Sequence, residues 1–328
     1  MRKRQLGTSD LQFSVIGFGT WALGGGGWKF SWGPQDDNDS VSAIHAALES
    51  GINWIDTAPA YGVNGYAEAL VGRVLKDIPR AERPYIATKC GRQWTADRQL
   101  VPNLSADWIR QELEQSLQRL GVETIDLYQI HWPDPDDRIE EAWSVIADQI
   151  KQGKIRYAGV CNFTSAQIFR LQSIHPVTSL QPPYSMLRRD IEAELISYCR
   201  DNSMGIVVYS PLQKGLLTGA MTAERVRSLP QDDHRRGDPM FQQPRINAIQ
   251  EMVRKLSDIA QDRGRTVAEL ALCWALRLPE ITSAIVGGRR AEQISETARA
   301  GDWELDDATV SRIDDVLASS AGSAQQGV

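Results

Sequence analysis

No apolar run in the 328-residue chain approaches the ~20 residues of a membrane-spanning helix, which excludes a helical membrane protein. Positive charge is short as well. Lys and Arg number 36 against 42 Asp and Glu, and the net charge of −6 argues against nucleic acid as the main partner. Cysteine is scarce: Cys90, Cys161, Cys199 and Cys273 are scattered with no Cys-x-x-Cys pair. That pattern suits a reducing compartment and excludes a zinc or redox-dithiol site. His45, His131, His175 and His234 show no metal-ligand spacing, so no metal is expected. Met1 to Arg4 is basic, but no apolar signal-peptide core follows. The expectation is a cytoplasmic protein without a membrane partner. Nothing in the sequence signals an oligomeric state.

What is present is an alternation. Residues 2 to 13 read as a hairpin around Gly7-Thr8-Ser9-Asp10, followed by a strand at 15–19. Apolar spacing predicts helices at 38–49, 66–76, 106–120, 139–151, 191–202, 245–262, 266–277 and 290–299, with an extra one at 306–318. Another helix begins at the capping box Thr164-Ser165-Ala166-Gln167. Between them lie short apolar strands at 52–56, 85–89, 125–131, 155–161, 178–181, 206–210 and 281–286. Residues 211–244 break the rhythm and read as a long functional or disordered loop. About eight strand–helix units point to a (β/α)8 TIM barrel with an N-terminal β-hairpin and extra helices near the C-terminus. The expected organisation is one domain over residues 1–318 with a disordered tail at 319–328.

A rival fold is an open doubly wound sheet. Gly17-Phe18-Gly19-Thr20-Trp21-Ala22 fits G-x-G-x-x-A, and Asp36 lies about 20 residues on, as a dinucleotide fingerprint wants. That fingerprint needs a helix starting inside it. Gly24-Gly25-Gly26-Gly27 follows instead, which a helix tolerates poorly, so the reading is rejected. The glycines are expected to let backbone pass close to a cofactor or substrate, with Gly19, Thr20 and Trp21 as cofactor-binding candidates.

Four residues stand at corresponding places. Asp56 closes the strand Ile52 to Ile55, and Tyr61 follows in a turn constrained by Pro59 and Gly62. Lys89 ends the strand begun at Tyr85, and His131 ends the one begun at Ile125. Each alone is more often structural: a cap, a solvated strand end, a packed loop histidine. Together they are what one rim of a parallel barrel gathers into one site.

The run Asp56-Thr57-Ala58-x-x-Tyr61-Gly62, with Lys89 and His131, resembles the aldo-keto reductase signature. The likeness extends from Leu6-Gly7-x-Ser9 to about Glu296, nearest to the bacterial branch of general-stress and inositol-operon reductases. It implies reversible reduction of aldehydes and ketones by a nicotinamide cofactor, since no side chain donates hydride. Tyr61 is the expected proton donor. Lys89 would lower its pKa, Asp56 would hold Lys89 charged, and His131 would orient the carbonyl oxygen.

Flanking motifs resemble that family's cofactor contacts. Gly159-Val160-Cys161-Asn162-Phe163 would place Asn162 on the carboxamide, with Cys161 in place of the usual serine. Gln181 would be a second carboxamide partner. Tyr209 would stack on the nicotinamide, Ser210, Leu212 and Lys214 would meet the pyrophosphate, and Pro211 and Gly215 would complete that cofactor-binding run. Gly287 and Gly288 feed a helix N-terminus suited to phosphate. Arg289 and Arg290 supply forked donors for a 2′-phosphate, which favours NADPH/NADP+ over NADH. Gln293 and Glu296 match adenosine contacts, and Thr297 replaces an asparagine. Arg235 reads either as a phosphate clamp or as part of a solvated charge run.

Trp21, Trp28, Trp32, Trp94 and Trp132 lie in or near loops after strands, and with Tyr61 and His131 they would form an aromatic substrate pocket. Hydrophobic aldehydes or activated ketones are the expected substrates; loop packing is the plainer role for some of these indoles. Two further functions compete. One is a binding protein using the nucleotide as a redox signal, as potassium-channel β subunits of the superfamily suggest. The other is a barrel hydrolase, which would need a metal or nucleophile constellation that is not found.

Overall fold

The structure, a computed structural model, describes residues 1–325, with side chains to residue 320. In chain order it runs β1 Lys3–Gln5, β2 Gln12–Ser14, β3 Ile16–Gly19, α1 Asp37–Glu49, β4 Trp54–Asp56, α2 Tyr66–Leu75 and β5 Tyr85–Cys90. Then come β6 Arg92–Trp94, β7 Leu100–Pro102, α3 Ala106–Leu120, β8 Ile125–Ile130, α4 Ile139–Lys151, β9 Ile155–Cys161 and α5 Ser165–Gln172. The chain continues through β10 Ser179–Gln181, α6 Leu195–Asp201, β11 Gly205–Val208, α7 Ala223–Arg227, α8 Arg245–Gln261 and α9 Val267–Ala275. It ends with β12 Ile281–Gly287, α10 Ala291–Ala298 and α11 Asp307–Gln325.

Eight of these strands close into a parallel barrel in the order β3-β4-β5-β8-β9-β10-β11-β12, with β12 pairing back to β3. The helices cover it, so the strands are buried on both faces and read as short apolar runs. Helix starts follow the capping chemistry. Asp36 accepts from the Asn38 and Asp39 amides, and Ser105 accepts from Trp108. Thr164 with Gln167 and Thr266 with Glu269 form complete capping boxes. Each such cap is typically worth ~1 kcal/mol. Asp36 is thus the N-cap of α1, which accounts for the acidic residue in the false fingerprint.

The β1–β2 hairpin plugs one end of the barrel. Leu6, Leu11 and Phe13 pack there against Trp54, Leu127, Val207 and Ile285. Phe13 and Trp54 stack with centroids 4.4 Å apart. Gly17 exists for this core: a Cβ there would sit 2.2 Å from the Trp54 indole. Steric room, not phosphate, explains that glycine.

Four expectations need correction. Residues 92–94 and 100–102 pair as an antiparallel hairpin that the sequence does not announce. The helix expected at 191–202 is broken, with a short helical turn at Asp190–Glu192 before α6. The stretch 211–244 is not structureless; it holds α7 and helical turns at Gln213–Thr218, His234–Gly237 and Pro239–Phe241. Finally, α11 runs on to Gln325, into the stretch expected to be a tail, whose remainder, 326–328, lies outside the described residues.

Candidate active site

Asp56 and Lys89 sit on neighbouring strands, β4 and β5, with side chains turned into the barrel. Both are buried. The Lys89 Nζ donates to Asp56 Oδ1 at 2.5 Å and Oδ2 at 2.6 Å, to the Thr57 carbonyl at 3.0 Å and to the Tyr61 hydroxyl at 3.0 Å. Tyr61 reaches this point because the loop after β4 turns sharply at Gly62, whose backbone lies against Gly24; a Cβ on Gly62 would meet the Gly24 carbonyl at 2.5 Å. Part of the Gly24–Gly27 run therefore serves loop contact. The His131 ring meets Tyr61 edge to face at 5.8 Å, and its backbone amide donates to the Cys90 carbonyl at 3.0 Å.

Electrostatics follow from enclosure. Burial is the largest single influence on Lys89 and opposes its charge, but Asp56 and then Tyr61 together hold the ammonium above its ordinary value. Burial lifts the Tyr61 phenol above its ordinary value and outweighs the pull of Lys89, although Tyr61 remains partly accessible from the cleft. The expected lowering of this phenol is thus reversed in sign. Burial, then the charges of Lys89 and Arg92, drop His131 well below the ordinary histidine value, so its imidazole is neutral at neutral pH.

A cleft of about 1880 Å³ opens from these groups and runs to the turn after β12. Every residue expected at the site lines it except Lys89, which lies beneath Tyr61, Thr20, and Arg290, which stands outside the cleft wall next to Arg289. Thr20 is fully buried and its hydroxyl donates to Thr57 and the Asp56 carbonyl, so it braces β4 and does not face the cleft.

Along one wall the side chains form a chain of hydrogen bonds. Tyr209 donates to Asn162 Oδ1 at 2.8 Å, and Asn162 Nδ2 donates to the His131 carbonyl at 3.1 Å and to Cys161 Sγ at 3.2 Å. Gln181 Nε2 donates to Asp56 Oδ2 at 3.2 Å. The Cys161 thiol, pushed up by burial, stays within this network at 3.6 Å from Gln181 Oε1. Asn162 (φ 64), Ser210 (φ 55) and Lys214 (φ 56) are left-handed, a strained state of order 1–3 kcal/mol each that concentrates at ligand sites.

At the far end the two arginines expected at phosphate are differently placed. Arg289 is engaged by the loop before α1: Nε donates to Gln35 Oε1 at 2.5 Å, Nη1 to the Trp32 carbonyl at 3.0 Å and Nη2 to the Pro34 carbonyl. Arg290 is exposed, and no side chain caps α10. Arg235 is buried and its guanidinium is held by Asp233 at 2.6 Å and 3.0 Å, lying 4.5 Å over the Trp32 ring. It is neither a solvated charge nor a free clamp. Lys214 pairs with Asp238 at 2.7 Å. Trp32 packs edge to face on His234 at 5.0 Å and on Trp21 at 5.2 Å, and Trp21 in turn lies 6.5 Å from the Tyr61 ring, whereas Trp28 and Trp94 pack edge to face at 5.9 Å.

These features fit a dinucleotide. The cleft is continuous from the Tyr61–His131 floor, where the amides of Asn162 and Gln181 and the Tyr209 ring stand beside the reacting groups, to a helix N-terminus that no side chain caps. No cluster of metal-ligating side chains occurs among the described residues.

Sequence comparison decides the family. The pattern described as "Aldo/keto reductase family" matches residues 15–318. The chain belongs to the aldo/keto reductases. The aldo-keto reductase YhdN of Bacillus subtilis (strain 168) is 37% identical over 318 residues, covering 97% of this chain and 94% of that one. An NADH-specific methylglyoxal reductase of Escherichia coli (strain K12) is 37% identical over 321 residues, covering 94% and 96%. Among solved structures, the glycerol dehydrogenase AKR11B4 from Gluconobacter oxydans superposes with a TM-score of 0.87 at 36% identity, covering 97% of this chain and 95% of that one. The aldo-keto reductase AKR11C1 from Bacillus halodurans, in its holo form, gives 0.77 at 28% identity, covering 96% of each chain. Members of this family use nicotinamide cofactors, so this aldo/keto reductase is an oxidoreductase of carbonyl compounds.

Two buried acids beside the site escaped the sequence reading. Glu68 accepts from Thr88 Oγ1 at 2.6 Å and Glu112 accepts from the Gly91 amide at 2.7 Å, so buried acids hold β5 and the residue just after it on either side of Lys89. The available signal was an acid on the apolar face of a helix: Glu112 shares the buried face of α3 with Ile109 and Leu113.

Proposed function

We propose that this chain reduces aldehydes and ketones to alcohols with NADPH. When bound, the nicotinamide supplies hydride to the carbonyl carbon. His131, neutral, donates a hydrogen bond to the carbonyl oxygen and holds it beside Tyr61. The Tyr61 phenol transfers its proton to that oxygen as it gains charge. Lys89, 3.0 Å away, steadies the phenolate that remains, and Asp56 keeps Lys89 charged. Asn162 and Gln181 offer amide groups to a carboxamide, and Tyr209 offers a ring face. The observation that carries the reading is the Asp56–Lys89–Tyr61 relay at the floor of a dinucleotide-sized cleft. Tyr61→Phe is expected to lower kcat by ~10²–10⁴-fold while nucleotide binding, followed by intrinsic fluorescence, persists. A variant retaining a substantial share of the rate would overturn the assignment.

The preference for NADPH rests on Arg290, exposed beside the Gly287-Gly288 turn and the uncapped α10, where a 2′-phosphate would meet a forked cation. The second reading is NADH. It is favoured by the engagement of Arg289 with Gln35, Trp32 and Pro34, and by the relative named for its NADH specificity. Titration with both nucleotides separates them. A tighter Kd for NADPH that weakens in Arg290→Ala supports the first; equal or tighter NADH binding supports the second.

A further inference from the structure

The β6–β7 hairpin, absent from the sequence reading, brings one more charged group to the mouth of the site. Arg92 opens β6, two residues beyond Cys90, and lines the same cleft as Tyr61 and His131. Two bonds fix its position. The Cys90 carbonyl accepts from the His131 amide at 3.0 Å, and Arg92 Nη1 donates to Asp134 Oδ2 at 3.1 Å, so the segments carrying Arg92 and His131 are pinned together.

The Arg92 side chain is 15% exposed, whereas the Asp134 side chain that meets it is 55% exposed. Arg92 Nε and Nη2 make no hydrogen bond among the described residues. An arginine buried this far normally has its fork satisfied, and the edge left open here is the one that takes both oxygens of a carboxylate. The other cation at the reacting end, Lys89, is fully buried and paired with Asp56, so it cannot serve a substrate anion. Arg98, in the same hairpin, is exposed on its tip beside Asp97. The indoles of Trp28 and Trp94 supply an apolar wall close by.

Resting on the reductase reading above, we propose that Arg92 is a specificity-determining residue that binds a carboxylate on the substrate, so that oxo-acids and carboxylated aldehydes are preferred over neutral carbonyl compounds. The aromatic wall holds the carbon chain, Arg92 holds the anion, and His131 and Tyr61 hold the carbonyl oxygen. This narrows the hydrophobic substrate class expected from the tryptophans alone.

The test compares 4-oxobutanoate with its methyl ester, in which a methoxy group replaces the charged oxygen and the aldehyde end is unchanged. The expected result is a kcat/KM ratio favouring the acid by about tenfold or more in the wild type, carried mainly by KM, from a charge-assisted bidentate contact. Arg92→Leu is expected to lower that ratio about tenfold, and Arg92→Lys to lower it less. Succinate should inhibit the wild type competitively against the ester. No preference for the acid, a ratio unmoved in Arg92→Leu, or no inhibition by succinate would each overturn the inference. If the wild type reduces neither compound with either nucleotide, the reductase reading falls and this inference with it; reduction of the ester without preference sinks this inference alone.

Discussion

Asp56, Lys89 and His131 were legible because they stand at or next to strand ends, and Tyr61 because it lies in the loop after β4; strand ends and the loops after them converge on one rim of a barrel. Their protonation states were not, because they depend on how deeply the rim encloses them. His131 sits below the ordinary histidine value of ~6.5. A group lowered in the folded state stays neutral as pH falls through ~6.5, and protons then bind preferentially to the unfolded chain. Its contribution to stability is therefore full above ~6.5 and declines as pH falls towards the folded value. Turnover should show no loss centred near pH 6.5, while the melting temperature begins to fall there; an activity midpoint at 6.5 would contradict a neutral imidazole. The buried ion pair makes a second case. Lys89→Met leaves the Asp56 carboxylate facing Gln181 and no cation, an imbalance that typically costs about 3–5 kcal/mol. Lys89→Met/Asp56→Asn should be inactive as well, yet markedly more stable than the single variant in urea melts. Equal stability of the two would mean that Asp56, whose pKa burial raises and Lys89 holds down, takes up a proton once Lys89 is removed.

At the scale of elements, the regular pieces were readable and the irregular ones were not. Helix 106–120 follows from period and boundary residues, as the Ser105 cap and the left-handed Gly121 show, and helix 139–151 from its apolar spacing alone, since no side chain caps it. The 211–244 stretch could be recognised as a break in the rhythm but not as structure, because its order comes from contacts distant in sequence. Asp232 illustrates this. Its Oδ2 accepts from the Gly27 amide at 2.9 Å and from Ser31 Oγ at 3.2 Å, and its carbonyl accepts from Ser31 Oγ at 2.6 Å. His234 donates its backbone amide to the Ser31 carbonyl at 3.0 Å, and Arg289 binds the carbonyls of Trp32 and Pro34. These bonds stitch the loop before α1 to the segments after β11 and β12, along one side of the cleft. If that strap retains the nucleotide, Asp232→Ala should speed its release about fivefold, the equivalent of ~1 kcal/mol for exposed charge-assisted bonds. Stopped-flow displacement measures it, and an unchanged off-rate would show that the strap does not hold the nucleotide.

For the molecule as a whole, the barrel was legible from the alternation of units, but the packing of its interior was not. The sequence offers Gly17 in the guise of a nucleotide fingerprint, and only the closed sheet shows that Trp54, one strand away, fills the space its side chain would take. The two positions are therefore one feature. Trp54 is fully buried, stacks on Phe13, and donates through Nε1 to the Ser14 carbonyl at 3.2 Å and Ser283 Oγ at 3.1 Å. Trp54→Ala removes those contacts and opens a cavity, a change that typically costs about 3–5 kcal/mol. Gly17→Ala adds a methyl 2.2 Å from the indole, an overpacking that typically costs about 1–3 kcal/mol. In the double variant the added methyl points into space that the indole has vacated, so the overpacking penalty disappears. The double variant should be no less stable than Trp54→Ala, and the cycle should show a coupling of at least ~1 kcal/mol between positions that direct neighbours share. Urea denaturation of the three variants and the wild type provides it. Strict additivity would mean that Gly17 is required by its backbone or by a ligand, and the nucleotide reading of the first strand would have to be reopened.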